Sequence, residues 1–183
     1  MKMFVHRTPS EGNPQPFELN RIKDHARVDH EDEDIGFMVL GWTAASEIEH
    51  VAQIALLTQT IRVTVFQPCR DSFLSLPIGP AYQTEGVTVT LDGVPFTGFE
   101  FVPGNRPAIN WGADYHDLFP TRLQVEYQAG FGPAVQYIPL DLQLAVADQA
   151  ALIYDNRAGG DGKALTSSPH MARIAARYRG LRA

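Results

Sequence analysis

The chain has 183 residues, of which 44% are hydrophobic and 20% are charged, and its formal net charge is −6 at pH 7. This composition is typical of a globular chain large enough for one sizeable core, and it excludes a disordered or fibrous protein. The single cysteine, Cys69, cannot form an internal disulfide, and no Cys/His cluster points to structural zinc. Without a long apolar run or a signal-peptide core, we expect neither membrane insertion nor secretion.

Charge is distributed unevenly along the chain. Residues 156–183 carry a balance of +5, whereas residues 1–155 carry a balance of −11. A basic segment after an acidic body is typical of a tail that docks on an acidic protein or on nucleic acid. Basic residues near a helix C-terminus also stabilise that helix by themselves, which leaves a simpler explanation open.

The N-terminal third is predicted to contain an arm and two helices. Three prolines within residues 1–17 predict an extended arm, and apolar residues spaced along 18–27 predict a short helix. Five acidic residues then occupy positions 29–34, without the Gly and terminal Glu of an EF-hand loop. We therefore interpret Asp29 as the cap and the acids after it as the first turn of a helix that runs to about Leu56.

This long helix carries two apolar stripes. The main one predicts the buried face, and it consists of Phe37, Leu40, Ala44, Ile48, Val51 and Ala55. The second interrupts the polar side near the helix N-terminus and consists of Ile35, Val39 and Trp42. The second stripe has two explanations, namely packing against a short helix of the same chain or contact between subunits.

From residue 58 the apolar period changes to two. The segments TQTIRVTVF, FLSLP, GVTVTLDG, TGFEFVPG and RLQVEYQAG predict short strands, and Asp-Gly in LDGV predicts a hairpin turn. Together they predict an antiparallel β meander over about 58–130. An irregular aromatic stretch at 104–120 either contacts a partner or closes over the sheet edge.

A second long helix is predicted over about 139–157. Asp141, Asp148 and Asp155 recur every seven residues, whereas the rest of the helix is mostly apolar and must be covered on several sides, in part by a neighbouring subunit. Glycines then break the chain, and Ser167 or Ser168 caps a short basic helix. The predicted fold class is α+β, with two long helices, short helices and a small antiparallel β meander inserted between them. The predicted divisions are an arm (1–17), a core (18–157) and a flexible break with a basic docking helix (158–183).

The usual catalytic motifs do not occur. GxSxG, HExxH, a P-loop and GxGxxG are all missing, and the histidines are scattered along the chain. We therefore predict no enzymatic activity, no cofactor and no metal site. An enzyme whose site is assembled from dispersed His and Asp residues is the alternative from a different class.

The order of the elements, with several motifs, resembles the head–tail connector (adaptor) family of long-tailed bacteriophages and gene transfer agents. The resemblance covers residues 17–157 and is carried, in chain order, by ARVDHEDED, AASEIEHVAQ, LLTQTIRVT, LSLP, YQAGFG and YDNR. It implies a structural virion protein that forms a ring, typically twelvefold, between the portal and the tail. Residues 95–120 are longer and more aromatic than the family pattern.

The resemblance also implies a location and partners. The chain would assemble in the bacterial host cytoplasm and reside in the virion neck. Its partners would be the portal protein, a tail-side completion or stopper protein and other copies of itself, while genomic DNA passes through the lumen without sequence-specific binding.

Three residue sets are predicted to carry these contacts. The portal-docking set comprises Arg173, Ile174, Arg177, Tyr178 and Arg179. The subunit-contact set comprises Ile35, Val39 and Trp42, and the acidic lumen set comprises Asp141, Asp148 and Asp155 or the 29–34 cluster. The competing hypothesis is a DNA-binding packaging accessory protein that uses the basic C-terminal helix on phosphates.

Overall fold

The computed structural model describes residues 1–12, 14–157 and 167–179, and within these ranges the chain forms four α-helices and eight β-strands. The helices are α1 (Leu19–Ala26), α2 (Asp34–Ala52), α3 (Leu140–Asn156) and α4 (Pro169–Tyr178). The strands are β1 (Lys2–Pro9), β2 (Gln59–Phe66), β3 (Phe73–Ser75), β4 (Thr88–Leu91), β5 (Val94–Pro95), β6 (Phe99–Val102), β7 (Ala108–Trp111) and β8 (Arg122–Ala129). The predicted α+β class, with antiparallel strands between two long helices, is confirmed.

The chain divides into two compact units. One is a β unit of residues 1–13 and 58–131, and the other is a helical unit of residues 14–57 and 132–183. The predicted glycine break at 158–162 lies outside the described residues. None of the helices in the described part of the chain combines the length and apolar character needed to cross a bilayer.

The β unit contains two antiparallel sheets, with strand orders β1-β2-β8-β4-β5 and β3-β7-β6. β8 lies between β2 and β4, so the strand order departs from that of a sequential meander. The alternation that predicted β2 also orients it, because Ile61, Val63 and Val65 are all buried. They pair in register with Tyr127, Val125 and Leu123 of β8, which are buried as well. Aliphatic pairs across these two strands therefore form the centre of the β unit.

The predicted Asp-Gly hairpin is present between β4 and β5. Asp92 and Gly93 both have positive φ, 51° and 91°, as a type I′ turn requires. The Asp92 carboxylate accepts hydrogen bonds from the Thr121 hydroxyl at 2.7 Å and from the backbone N–H groups of Thr121 and Arg122. These bonds, led by that from the Thr121 hydroxyl, lower the pKa of Asp92.

The predicted extended arm is wrong for residues 2–9, which form the edge strand β1. All eight residues pair antiparallel with β2, from Lys2 opposite Phe66 to Pro9 opposite Gln59. Most β1 side chains are exposed, so the strand is held chiefly by its backbone ladder. Composition alone does not show that this segment pairs with β2. Pro9 is the last residue of the strand, and Pro14 and Pro16 lie after it.

In the helical unit, α2 begins later than predicted. Asp29 does not cap it, because Glu33 is the N-cap and only Asp34 lies in the first turn. Two of the five acids make tertiary contacts instead. Asp34 pairs with Lys23 of α1 at 2.5 Å, and Glu33 accepts hydrogen bonds from residues at the end of α3. The helix ends at Ala52, earlier than the predicted Leu56, and the C-cap residue Gln53 turns the chain with a positive φ of 55°.

The helices of this unit enclose their own core. Buried apolar side chains come from all four helices and include Ile22, Phe37, Ile48, Leu142, Val146 and Met171. α4 is capped as predicted, since the Ser168 hydroxyl accepts from the Met171 N–H at 3.3 Å. The predicted cover of α3 thus comes largely from the chain itself.

Candidate functional site

The second stripe of α2 is largely uncovered. Ile35 and Val39, one turn apart, are 84% and 60% exposed. Trp42 differs, because it is half-buried and its ring lies edge-on to Phe17 at 5.8 Å. Packing within the chain, the first of the two explanations of this stripe, therefore applies to Trp42. Ile35 and Val39 form an exposed aliphatic pair, for which contact between subunits remains a prediction.

The acidic residues of α3 are unequal in their surroundings. Asp141 accepts a hydrogen bond from the Tyr178 hydroxyl at 3.0 Å and forms an ion pair with Arg177. Asp155 is exposed, and no hydrogen bond or ion pair to it occurs among the described residues. Asp141 thus helps to hold α4 on α3, whereas Asp155 remains open to solvent or to a partner.

Asp148 lies at the junction of three helices. Its carboxylate accepts from the Ser168 hydroxyl at the start of α4, lies 3.2 Å from His25 Nε2 of α1, and lies 3.9 Å from His170 Nδ1. A cavity of about 440 Å³ adjoins these groups. The contacts are those of an aspartate that joins α1, α3 and α4, and the described residues contain no group of three or more His, Cys, Asp or Glu placed to hold a metal ion.

The five residues predicted for portal docking differ in exposure and in contacts. Arg173 and Arg179 are exposed, and Arg177 is exposed but paired with Asp141. Tyr178 is half-buried, and its hydroxyl also donates to Asp141. Ile174 is buried in the helical unit, which corrects its predicted place on a docking face. Its position, three residues after buried Met171, assigns it to the inner stripe of an amphipathic helix.

A polar cluster that the sequence did not predict ties α2 to α3. Glu33 accepts from the Tyr154 hydroxyl at 2.6 Å and from Arg157 at 2.9 Å, and Arg157 lies over the Tyr154 ring at 3.8 Å. The Tyr154 bond, followed by that from Arg157, lowers the pKa of Glu33, and the same contact raises the pKa of Tyr154. The motifs DHEDED and YDNR, both part of the family resemblance, thus meet in space.

The aromatic stretch at 104–120 has two roles. Trp111 and Tyr115 are buried and stack at 4.3 Å, so they belong to the core of the β unit. Phe119 is 77% exposed, with the Arg70 guanidinium 3.8 Å from its ring centre. Of these three aromatic rings, only that of Phe119 is exposed, a distinction that composition alone could not make.

A second exposed aliphatic pair was not predicted. Leu140 and Leu144, one turn apart at the start of α3, are 71% and 43% exposed. Their signal was present in the sequence, because α3 is apolar nearly all round. The pattern could not distinguish these two leucines from Leu142, which is fully buried.

No protein-family model matches this chain, and no curated protein matches it. Among solved structures, the chain is similar to a chain of the "Neck of native GTA particle computed with C12 symmetry", with 26% identity and a TM-score of 0.74. It is similar at 25% identity, with the same TM-score, to chains of the "Neck of empty GTA particle computed with C6 symmetry" and of the "Virion of native gene transfer agent (GTA) particle". Each match covers 100% of this chain and 97% of the other chain. These likenesses confirm the resemblance that the ordered motifs indicated.

Proposed function

We propose that this chain, which resembles the head–tail connector family, is a structural protein of the particle neck that forms a ring between portal and tail. The observation that carries the proposal is the full-length likeness to chains of gene transfer agent necks. Two exposed aliphatic pairs on the long helices support an assembly role, because such surfaces are typical of protein contacts. The DNA conduit is the finer part of the same proposal.

Docking on the portal is proposed for the end of α4. Arg179 is exposed there, next to the half-buried Tyr178, and it belongs to the basic segment that follows the acidic body. Arginine at such a position fits an acidic groove on a partner. Ile174 and Arg177 are not included, because one is buried and the other is paired with Asp141.

The experiment is a pull-down of the tagged full-length chain from cells that produce the particles, with Arg179→Glu as the test variant. Removing α4 altogether would expose the core around Met171, so a single charge reversal is the cleaner change. We expect portal and tail-side neck proteins to accompany the wild-type chain, and R179E to lose portal preferentially. Lys2→Glu, a charge reversal on exposed β1, is the matched control.

The competing DNA-binding role predicts a different result. Phosphate attraction would give duplex DNA binding that weakens steeply with salt and is lost in R179E. Recovery of nucleic acid without any particle protein would therefore replace the connector proposal with the packaging accessory role.

The acidic lumen is proposed for Asp155 alone among the three aspartates of α3, since Asp141 and Asp148 are engaged by α4. A negative lumen repels the DNA phosphates and lets the genome pass. We expect Asp155→Lys to slow genome ejection while particle assembly stays normal. Unchanged ejection, measured as DNA release from purified particles, would contradict the role of Asp155.

A further inference from the structure

The two exposed aliphatic pairs lie at opposite ends of one helix pair. α2 and α3 run antiparallel, because Glu33 contacts Arg157 and, further along, Glu47 accepts from Gln149. Ile35 and Val39 therefore lie where α3 ends, and Leu140 and Leu144 lie where α2 ends. Within one chain the two pairs cannot cover each other.

The surroundings of the two pairs have opposite charge. Glu31 and Asp32 precede Ile35 by four and three residues. Both are exposed and form no side-chain hydrogen bond or ion pair within the described residues. We call Glu31, Asp32, Ile35 and Val39 the acidic patch. Like charges make this patch a poor surface for contact with an identical copy of itself.

The other pair has a basic neighbour. α4 packs along α3 in the reverse direction, with Ser168 at Asp148 and Arg177 at Asp141. Arg173 lies one turn before Arg177 on the same side of α4, and so at the level of Leu144. It is exposed, with no ion pair among the described residues. We call Leu140, Leu144 and Arg173 the basic patch.

We propose that neighbouring copies of this chain join head to tail, with the acidic patch of one copy on the basic patch of the next. Two different complementary patches on one chain form a heterologous contact, which closes into a ring when the rotation permits. Apolar side chains fill the centre of this contact, and Arg173 faces Glu31 and Asp32 at its rim. The inference rests on the proposed function, and it names the residues by which the ring closes.

Disulfide trapping in assembled particles tests the contact directly. In a Cys69→Ser background, which removes the exposed native thiol, Val39→Cys and Leu144→Cys are combined in one chain. A disulfide requires Cα atoms within about 7 Å, so it forms only if the two patches meet. We expect oxidised particles to yield a ladder of dimers, trimers and larger species on a non-reducing gel.

Three controls make the result specific. Each single cysteine variant should remain monomeric, whereas a dimer from V39C alone would indicate a self-complementary contact and overturn the proposal. His50→Cys with Leu144→Cys uses an exposed position at the other end of α2 and should give no ladder.

Absence of the ladder from V39C/L144C particles that contain the chain overturns the head-to-tail contact and leaves the neck role intact. Absence of the chain from the particles overturns both proposals.

Charge exchange supplies a second test that does not depend on oxidation. Arg173→Asp places an acid against Glu31 and Asp32, and we expect about tenfold less chain in purified particles. Adding Asp32→Arg to the same chain should restore incorporation, which a merely misfolded variant would not do. Full incorporation of R173D alone, or no recovery in the double variant, would contradict the proposed rim.

Discussion

At the residue scale, the buried tyrosine of β8 shows how one polar group is satisfied inside the β unit. The Tyr127 hydroxyl donates to the Ile78 carbonyl oxygen at 2.9 Å and accepts from the Ile78 N–H at 3.3 Å. Burial raises the pKa of Tyr127, so it stays neutral in the physiological range. Its ring also lies near Phe101 of β6, which links the two sheets.

Tyr127→Phe removes the hydroxyl and leaves both backbone groups of Ile78 without that partner. We expect a loss of about 1–2 kcal/mol in the free energy of unfolding, measured by urea denaturation. Tyr82→Phe is the control, because Tyr82 is 59% exposed although its hydroxyl also donates, to Asn105 at 2.6 Å. Equal stability of Y127F and the wild type would show that the paired hydroxyl contributes nothing.

Glu33 makes stability depend on pH. Its pKa in the folded chain lies below the ordinary value of 4.5, chiefly because Tyr154 and then Arg157 bind the carboxylate. The unfolded chain therefore takes up the proton first as pH falls. The stabilisation is complete above about pH 4.5 and is lost as pH falls through the lower folded pKa.

Glu33→Gln should reduce the loss of stability that accompanies a fall in pH below about 4.5. We expect the melting temperature of the wild type to fall more steeply than that of E33Q below pH 4.5. Glu31→Gln changes a nearby exposed acid without such bonds and should follow the wild type. An equal fall in the melting temperatures of E33Q and the wild type below pH 4.5 would contradict the role of the Glu33–Tyr154–Arg157 cluster.

At the element scale, local patterns predicted most of the fold. The i, i+3, i+7 spacing placed α1, the alternation placed β2, and the Ser168 cap began α4 as expected. Each of these signals lies within a few residues of the chain. The β1 strand and the start of α2 were not predicted correctly, because a distant partner determines each: β2 for the first, and residues at the end of α3 for the second.

For the candidate surfaces too, the sequence indicated which residues stand out but not what covers them. The period of α2 singled out Ile35, Val39 and Trp42, but only packing shows that Phe17 covers Trp42. The seven-residue spacing also singled out the three aspartates of α3, whose role in a lumen stays a prediction. The contacts of Ser168 with Asp148 and of Arg177 with Asp141 depend on how α4 returns along α3, which no local pattern contains.

Two glycines of α2 give opposite predictions on one helix. An added Cβ at Gly41 would lie 2.6 Å from the Phe17 ring and 2.9 Å from Ile22, whereas at Gly36 it would meet nothing within 4 Å. We expect Gly41→Ala to cost about 1–3 kcal/mol through overpacking, and Gly36→Ala to gain about 0.5–1 kcal/mol through helix propensity. Thermal unfolding of the two variants compares them directly, and a stabilised G41A would show that α1 and α2 are not so closely packed.

At the scale of the whole molecule, charge and apolar surface are arranged for assembly. The acidic patch and the basic patch lie at opposite ends of the α2–α3 pair, and the basic C-terminal segment follows an acidic body. An isolated subunit exposes these surfaces to water, and the proposed ring would cover them. The proposed contacts between copies therefore account for the two exposed aliphatic pairs of the helical unit, Ile35 with Val39 and Leu140 with Leu144.

All of the proposed contacts depend on whether this chain forms the ring between portal and tail, and a cryo-electron microscopy reconstruction of the neck would show this. Particles would be purified from producing cells whose only copy of the chain carries a small added domain at its N-terminus. We expect a twelvefold ring between portal and tail, into which the chain fits and from which the added domains project. A neck that lacks this ring, or a particle in which the added density lies elsewhere, would overturn the connector proposal.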